Sequence, residues 1–157
     1  YPLNTNRNHT AMLNLFTYGS LMCSDIMYQV AGCRPDSVPA NLKDFFRSRI
    51  RGEEYPGIVF QPGSKVSGIL YQDLPPSAME RLDRFEGRQY LRQEVQVLTE
   101  GHGLCTADTY VIHPEHKELL TGEPWSYEHF LAVGKARFLS VYLGFQEIPP
   151  GSAEVYS

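Results

Sequence analysis

Leu13, Leu15 and Tyr18 bracket a short apolar run that ends on Gly19-Ser20, the pattern of a strand that delivers the chain into a tight turn. Ser24 can cap a helix over residues 25–30, with Asp25 in its first turn complementing the dipole and Gly32 ending it. Between 41 and 50, Phe45, Phe46 and Ile50 are interleaved with Lys43, Arg47 and Arg49, which predicts a half-exposed strand. Pro56-Gly57 marks a turn. The apolar runs 58–60 and 66–71 flank Gln61-Pro62-Gly63-Ser64, and this spacing predicts the two arms of a hairpin.

After Pro75-Pro76-Ser77, the residues Ala78, Met79, Leu82 and Phe85 fall on one helical face, and Gly87 stops the helix with Glu86 in its last turn. Val95 and Val97 alternate with Glu94, Gln96 and Leu98 in one strand, and residues 104–112 form another after Gly101-His102-Gly103. The longest helix is expected over 126–143, with Phe130, Val133, Phe138 and Val141 on its apolar face. Residues 1–12 are polar and aperiodic and read as a flexible leader. Residues 149–157, opened by Pro149-Pro150-Gly151, read as a flexible tail, which leaves one domain over 13–148.

Composition sharpens this picture. At 157 residues and 42% hydrophobic, the chain suits one compact domain, and ten tyrosines, eight phenylalanines, 13 glycines and 11 prolines favour short strands and many turns over a helical bundle. The net charge of −4 has no long run of either sign, so the clustered cations of a nucleic-acid footprint are missing and a small polar partner fits better. No stretch approaches the roughly 18 to 20 apolar residues of a membrane span, so no membrane partner is expected. Three widely spaced cysteines, Cys23, Cys33 and Cys105, form neither a disulfide framework nor a CxxC pair, which points to a reducing, cytoplasmic setting.

The common nucleotide, zinc-protease and serine-hydrolase motifs are absent. His113 and His116, and His102 with Cys105, lie three apart but flank turns and lack a matching second half, so no metal site is expected. Cys23 follows the first turn and can approach a helix N-terminus, yet no histidine lies near it in sequence to act as its base. The turn Phe16-Thr17-Tyr18-Gly19-Ser20-Leu21-Met22 is more informative. A strand running into Gly-Ser and then a helix presents successive N–H groups with few side chains in the way, able to hold a carboxylate or a developing oxyanion. The second element is Glu86, placed unfavourably for the helix dipole and either solvated or retained for a purpose.

Taken together, Tyr18-Gly19-Ser20-Leu21-Met22, Tyr55-Pro56-Gly57, Leu82-Asp83-Arg84-Phe85-Glu86-Gly87 with Tyr90 and Arg92, and Thr109-Tyr110 resemble the gamma-glutamylcyclotransferase-like family. That family includes gamma-glutamylamine cyclotransferases and plant avirulence-induced-gene-like proteins. Trp125-Ser126-Tyr127-Glu128 is most similar to the plant-type branch. The resemblance implies an α+β domain built around a small barrel-like sheet. It also implies a gamma-glutamyl small-molecule substrate held by Tyr18, Gly19, Ser20, Leu21, Met22 and Cys23, with Glu86 as general acid and base and no cofactor or metal. Tyr90 and Tyr110 are candidates for the cavity wall. The implied reaction cyclises the glutamyl part to 5-oxoproline and frees an amine. Two alternatives stand beside it: a thiol-dependent amide hydrolase using Cys23, and a non-catalytic regulatory domain that binds a small acid.

Overall fold

The computed structural model describes residues 11–148; the tail and all but the last two residues of the leader lie outside them. Five strands close into a barrel: β1 (Leu13–Thr17), β2 (Ser37–Ile50), β3 (Pro56–Leu74), β4 (Tyr90–Thr99) and β5 (Gly103–Ile112). Their order around the ring is β3-β1-β5-β4-β2, and β2 pairs back onto β3. Every pairing is antiparallel except β1 with β5. A sixth strand, β6 (Leu120–Pro124), adds to the far end of β2 and was not foreseen in the sequence, because its residues are almost all polar or exposed.

Side-chain alternation divides the core in two. On β1, Phe16 points into the barrel with Leu42, Phe45, Ile58, Val66, Leu70, Val95, Val97 and Ala107, while its neighbour Leu15 points outward beneath the helices. That outer face is covered by α1 (Ser24–Ala31) and α2 (Pro76–Glu86), which bury Ile26, Met27, Val30, Met79, Leu82 and Phe85. Burial of side chains of this size stabilises the fold by about 1.5–3 kcal/mol each. Arg81 of α2 ties the two helices together by donating from Nε to the Val30 carbonyl at 2.7 Å, at the C-terminal end of α1, where a cation is favoured.

The turn expected at Pro56-Gly57 lies upstream, since these residues already pair with Arg49 and Ser48 as the start of β3, and the structure corrects three further expectations. The runs 58–60 and 66–71 are one strand, and the hairpin lies between β2 and β3. Gln61-Pro62-Gly63-Ser64 is a bulge on β3 facing Asp44 alone, which takes a φ of 66° and accepts from the Gly63 N–H through Oδ1 at 3.0 Å. Second, Ser24 lies inside α1, and Cys23 occupies the capping position without a side-chain cap. Third, the long helix starts at Tyr127, capped by the Ser126 hydroxyl, and passes through α3 (Tyr127–His129), a π-helical segment (Phe130–Gly134) and α4 (Lys135–Val141). The wider turn shifts the helical phase. Phe130 and Phe138 stay buried while Val133 and Val141 face solvent at 64% and 55% exposure.

Candidate active site

The turn after β1 is a short 3₁₀ helix over Ser20–Met22, closed by Met22 N–H to the Gly19 carbonyl at 3.0 Å and Cys23 N–H to the Ser20 carbonyl at 3.1 Å. A 3₁₀ turn of this kind leaves its leading amides, those of Gly19, Ser20 and Leu21, without partners inside the turn. The loop is fixed from outside by Arg47 Nη1 donating to the Tyr18 carbonyl at 2.9 Å and the Tyr71 hydroxyl donating to the Leu21 carbonyl at 2.8 Å. Glycine is required at position 19 by the packing of β3 against it: a Cβ there would stand 2.8 Å from Pro56 Cδ.

Glu86 reaches the same place from α2. Gly87 ends that helix with a φ of 81°, and its N–H closes on the Asp83 carbonyl at 3.1 Å. The Tyr142 hydroxyl then donates to the helix-end carbonyl of Phe85 at 2.7 Å. Around it the rings of Phe85, Phe138 and Tyr142 lie 4.7 to 6.3 Å apart and anchor the last turn of the helix.

Tyr18, Gly19, Ser20, Leu21, Glu86, Tyr90 and Tyr110 line one narrow cavity of about 20 Å³, together with Phe16, Thr17, Tyr55 and Pro56. Tyr55 and Glu86 also line a recess of about 380 Å³, and Tyr90 and Tyr110 a groove of about 1100 Å³, so the cavity lies between two wider openings. Its volume suits about one water molecule, and a larger ligand enters only if the walls move. Tyr55, partly exposed and held by Gln89 Nε2 at 2.8 Å, is the least buried of the aromatic walls.

Hydrogen bonds fix the remaining tyrosines. Tyr18 Oη donates to the Tyr110 carbonyl at 2.6 Å, Tyr90 Oη to the Pro56 carbonyl at 2.7 Å, and Tyr110 Oη to Asp83 Oδ1 at 2.8 Å. Burial raises the pKa of all three well above the ordinary tyrosine value, so they remain neutral donors. Glu86 keeps part of its surface accessible, but its carboxyl is enclosed by protein. Desolvation, with a smaller contribution from the Asp83 charge, pushes its pKa up to about 8. The neighbouring arginines do not reverse this. Arg92 lies 3.6 Å from Asp83 and 3.4 Å from Asp108, and Arg84 pairs with Glu80 at 3.0 Å.

Met22 and Cys23 do not line the cavity. The turn directs them away: Met22 Sδ lies 3.9 Å from Arg47 Nη1, and Cys23 is buried in the helix-side core with Sγ 3.3 Å from Tyr127 Oη. Burial raises the Cys23 thiol pKa despite its place at the start of α1, which removes the thiolate that a nucleophile needs. Sequence reasoning singled out Tyr55-Pro56 as a motif but not as cavity wall; its signal was the aromatic-proline pair next to a strand start. His113 and His116 have ring centroids 5.9 Å apart, and among the described residues no group of three or more His, Cys, Asp or Glu is arranged to hold a metal ion.

A family model described as gamma-glutamyl cyclotransferase, AIG2-like matches residues 15–127, a span that holds both the turn and Glu86. The chain belongs to this gamma-glutamyl cyclotransferase, AIG2-like family. Within the family, AIG2-like protein C of Arabidopsis thaliana is 33% identical over 138 residues, covering 87% of this chain and 80% of that protein. The solution structure of an Arabidopsis thaliana protein superposes with a TM-score of 0.66 at 28% identity, over 85% of this chain and 89% of that one. A structure described as gamma-glutamyl cyclotransferase shares the fold, with a TM-score of 0.56 at 21% identity over 77% of this chain and 86% of its own. The closed barrel with helices on one side is therefore the family's fold. No helix among the described residues is long and apolar enough to cross a membrane.

Proposed function

We propose that this protein cyclises the gamma-glutamyl part of a small amide or dipeptide to 5-oxoproline and releases an amine. The observation that carries the reading is that a carboxyl with a pKa near 8 and Gly19, Ser20 and Leu21, whose amides have no partner inside the Ser20–Met22 turn, line one narrow cavity. The amides of Gly19, Ser20 and Leu21 hold the anionic glutamyl end, or the oxyanion as it develops. The tyrosine walls and Pro56 fold the substrate so that its α-amine faces its own side-chain carbonyl.

Glu86 takes a proton from the substrate ammonium. The freed amine attacks the side-chain carbonyl carbon, forming the ring C–N bond. Collapse of the tetrahedral centre breaks the original amide C–N bond; Glu86 returns its first proton to the departing nitrogen and then relays to it the second proton that the ring nitrogen sheds, so that a neutral lactam and an ammonium leave. Atoms balance without water, and the transfer is an acyl shift within the substrate that expels an amine. A pKa near 8 suits both halves, since one group must accept and then give up a proton close to neutral pH. This activity fits a cytoplasmic setting, where the unpaired Cys23, Cys33 and Cys105 stay reduced.

The test is incubation with a panel of gamma-glutamyl amines and dipeptides, with mass detection of 5-oxoproline. Formation of 5-oxoproline by the native chain but not by Glu86→Gln supports the assignment. Binding of 5-oxoproline without turnover of any member of the panel would instead mark a small-acid-binding domain.

A further inference from the structure

Arg47 lies three residues before the end of β2 and is not part of the cavity wall. Its guanidinium stacks 5.1 Å over the Trp125 ring, and Nη1 donates to the Tyr18 carbonyl at 2.9 Å and to the Ser67 carbonyl at 3.3 Å. In a 3₁₀ turn the natural partner of the Tyr18 carbonyl is the Leu21 N–H, three residues on. Here the turn begins one residue later, with Met22 N–H on the Gly19 carbonyl, and the Tyr18 carbonyl is taken by Arg47. The peptide between Tyr18 and Gly19 is trans, so its N–H points opposite to its carbonyl, away from Arg47.

We infer that Arg47 is a positioning residue for substrate binding: by occupying the Tyr18 carbonyl it keeps the Leu21 N–H free and aims the Gly19 N–H at the ligand. The inference rests on the cyclisation reading for its kinetic consequences, but its structural part stands apart from it. A cation is better suited than a neutral donor, because its field polarises the Tyr18–Gly19 peptide and strengthens the opposite N–H as a donor to an anion. Trp125 holds the guanidinium plane in place through stacking, and its own Nε1 is fixed to the Glu54 carbonyl at 2.7 Å. Arg47 is thus held by the Trp125 ring as well as by the carbonyls to which it donates.

The experiment compares the native chain with Arg47→Gln and Arg47→Lys. Two readouts are used: amide hydrogen exchange at Gly19 and Leu21 by NMR, and steady-state kinetics on whichever gamma-glutamyl compound is turned over. In Arg47→Gln the Leu21 N–H closes onto the vacated Tyr18 carbonyl, so its exchange slows relative to the native chain. KM then rises by roughly 10- to 100-fold, the range for losing a charge-assisted hydrogen bond, with a smaller change in kcat and the same acidic pH limb. Arg47→Lys keeps a cation at the carbonyl, preserves the native exchange at Leu21 and recovers most of the KM. It also covers the case in which Arg47→Gln does not fold. Unchanged Leu21 exchange in a folded Arg47→Gln, or KM within twofold of native, overturns the inference, as does equal loss of kcat and stability in both variants. If no gamma-glutamyl compound is turned over, the cyclisation reading fails, while the exchange experiment still decides the role of Arg47 in the loop.

Discussion

Replacing Glu86 by Gln keeps the shape of the side chain and removes its titration, and it separates the energetic cost of this residue from its chemistry. In the native chain the carboxyl has a pKa of about 8 against an ordinary value of 4.5. The folded protein therefore holds a proton that the unfolded chain releases once the pH exceeds 4.5. Stability contributed by this group is fully present below pH 4.5, declines as the pH rises, and is lost by about pH 8. At about 1.4 kcal/mol per pH unit the whole displacement corresponds to on the order of 5 kcal/mol, and the partial exposure of the residue reduces that to a few kcal/mol.

Glu86→Gln lacks this slope. The assay is thermal unfolding of both proteins at pH 5, 7 and 9, reading only the difference so that other titrating groups cancel. At about 2 to 4 °C per kcal/mol for a chain of this size, the variant gains several degrees over the native protein at pH 9 and little at pH 5. In the same samples turnover falls by roughly 100- to 10,000-fold, about 3 to 5 kcal/mol of barrier, with KM preserved. The acidic limb of native kcat/KM rises through about pH 8. A stability difference that does not change with pH would refute the enclosed carboxyl. Near-normal turnover in Glu86→Gln would refute its catalytic role even if the stability result held.

Further outcomes test the surrounding cavity. Gly19→Ala forces a Cβ to within 2.8 Å of Pro56 Cδ; overpacking of this kind costs about 1–3 kcal/mol, and displacing the turn lowers kcat/KM at least as strongly, measured by denaturant unfolding alongside kinetics. Tyr110→Phe removes the 2.8 Å bond to Asp83, leaves a less satisfied carboxylate beside Glu86 and destabilises the fold by about 1–3 kcal/mol, with the Glu86 limb moved to higher pH in the kcat/KM profile. Cys23→Ala, whose side chain is buried away from the cavity, keeps turnover within a few fold of native and shows its effect in the melting temperature; inactivation with a normal melting temperature would restore the thiol reading.

Much of this protein could be read from local pattern. The strand-turn-helix around Tyr18-Gly19-Ser20, the helix that ends at Gly87 with Glu86 in its last turn, and the alternating strand through Val95 and Val97 were visible because each depends on residues a few positions apart. What failed was decided by distant partners. Gln61-Pro62-Gly63-Ser64 has the composition of a hairpin turn, yet the pairing of β3 with β2 along both sides of it makes it a bulge. The π-helical segment that turns Val133 and Val141 to solvent leaves no mark in the apolar spacing.

The candidate site shows the same division. The sequence alone singled out the candidates, Glu86 and the Tyr18–Leu21 turn, and it did so through their joint resemblance to a family pattern, since an acid in a last helical turn and a Gly-Ser turn are each ordinary in isolation. Only the tertiary structure brought them, some 65 positions apart, to one cavity, excluded Met22 and Cys23 from it, and set the proton affinity of Glu86. A carboxyl's pKa is governed by the water it loses and the charges it meets. Both are set by Asp83, the tyrosine walls and the aromatic cluster over α2, which come together only when α2 and the C-terminal helix pack against the barrel.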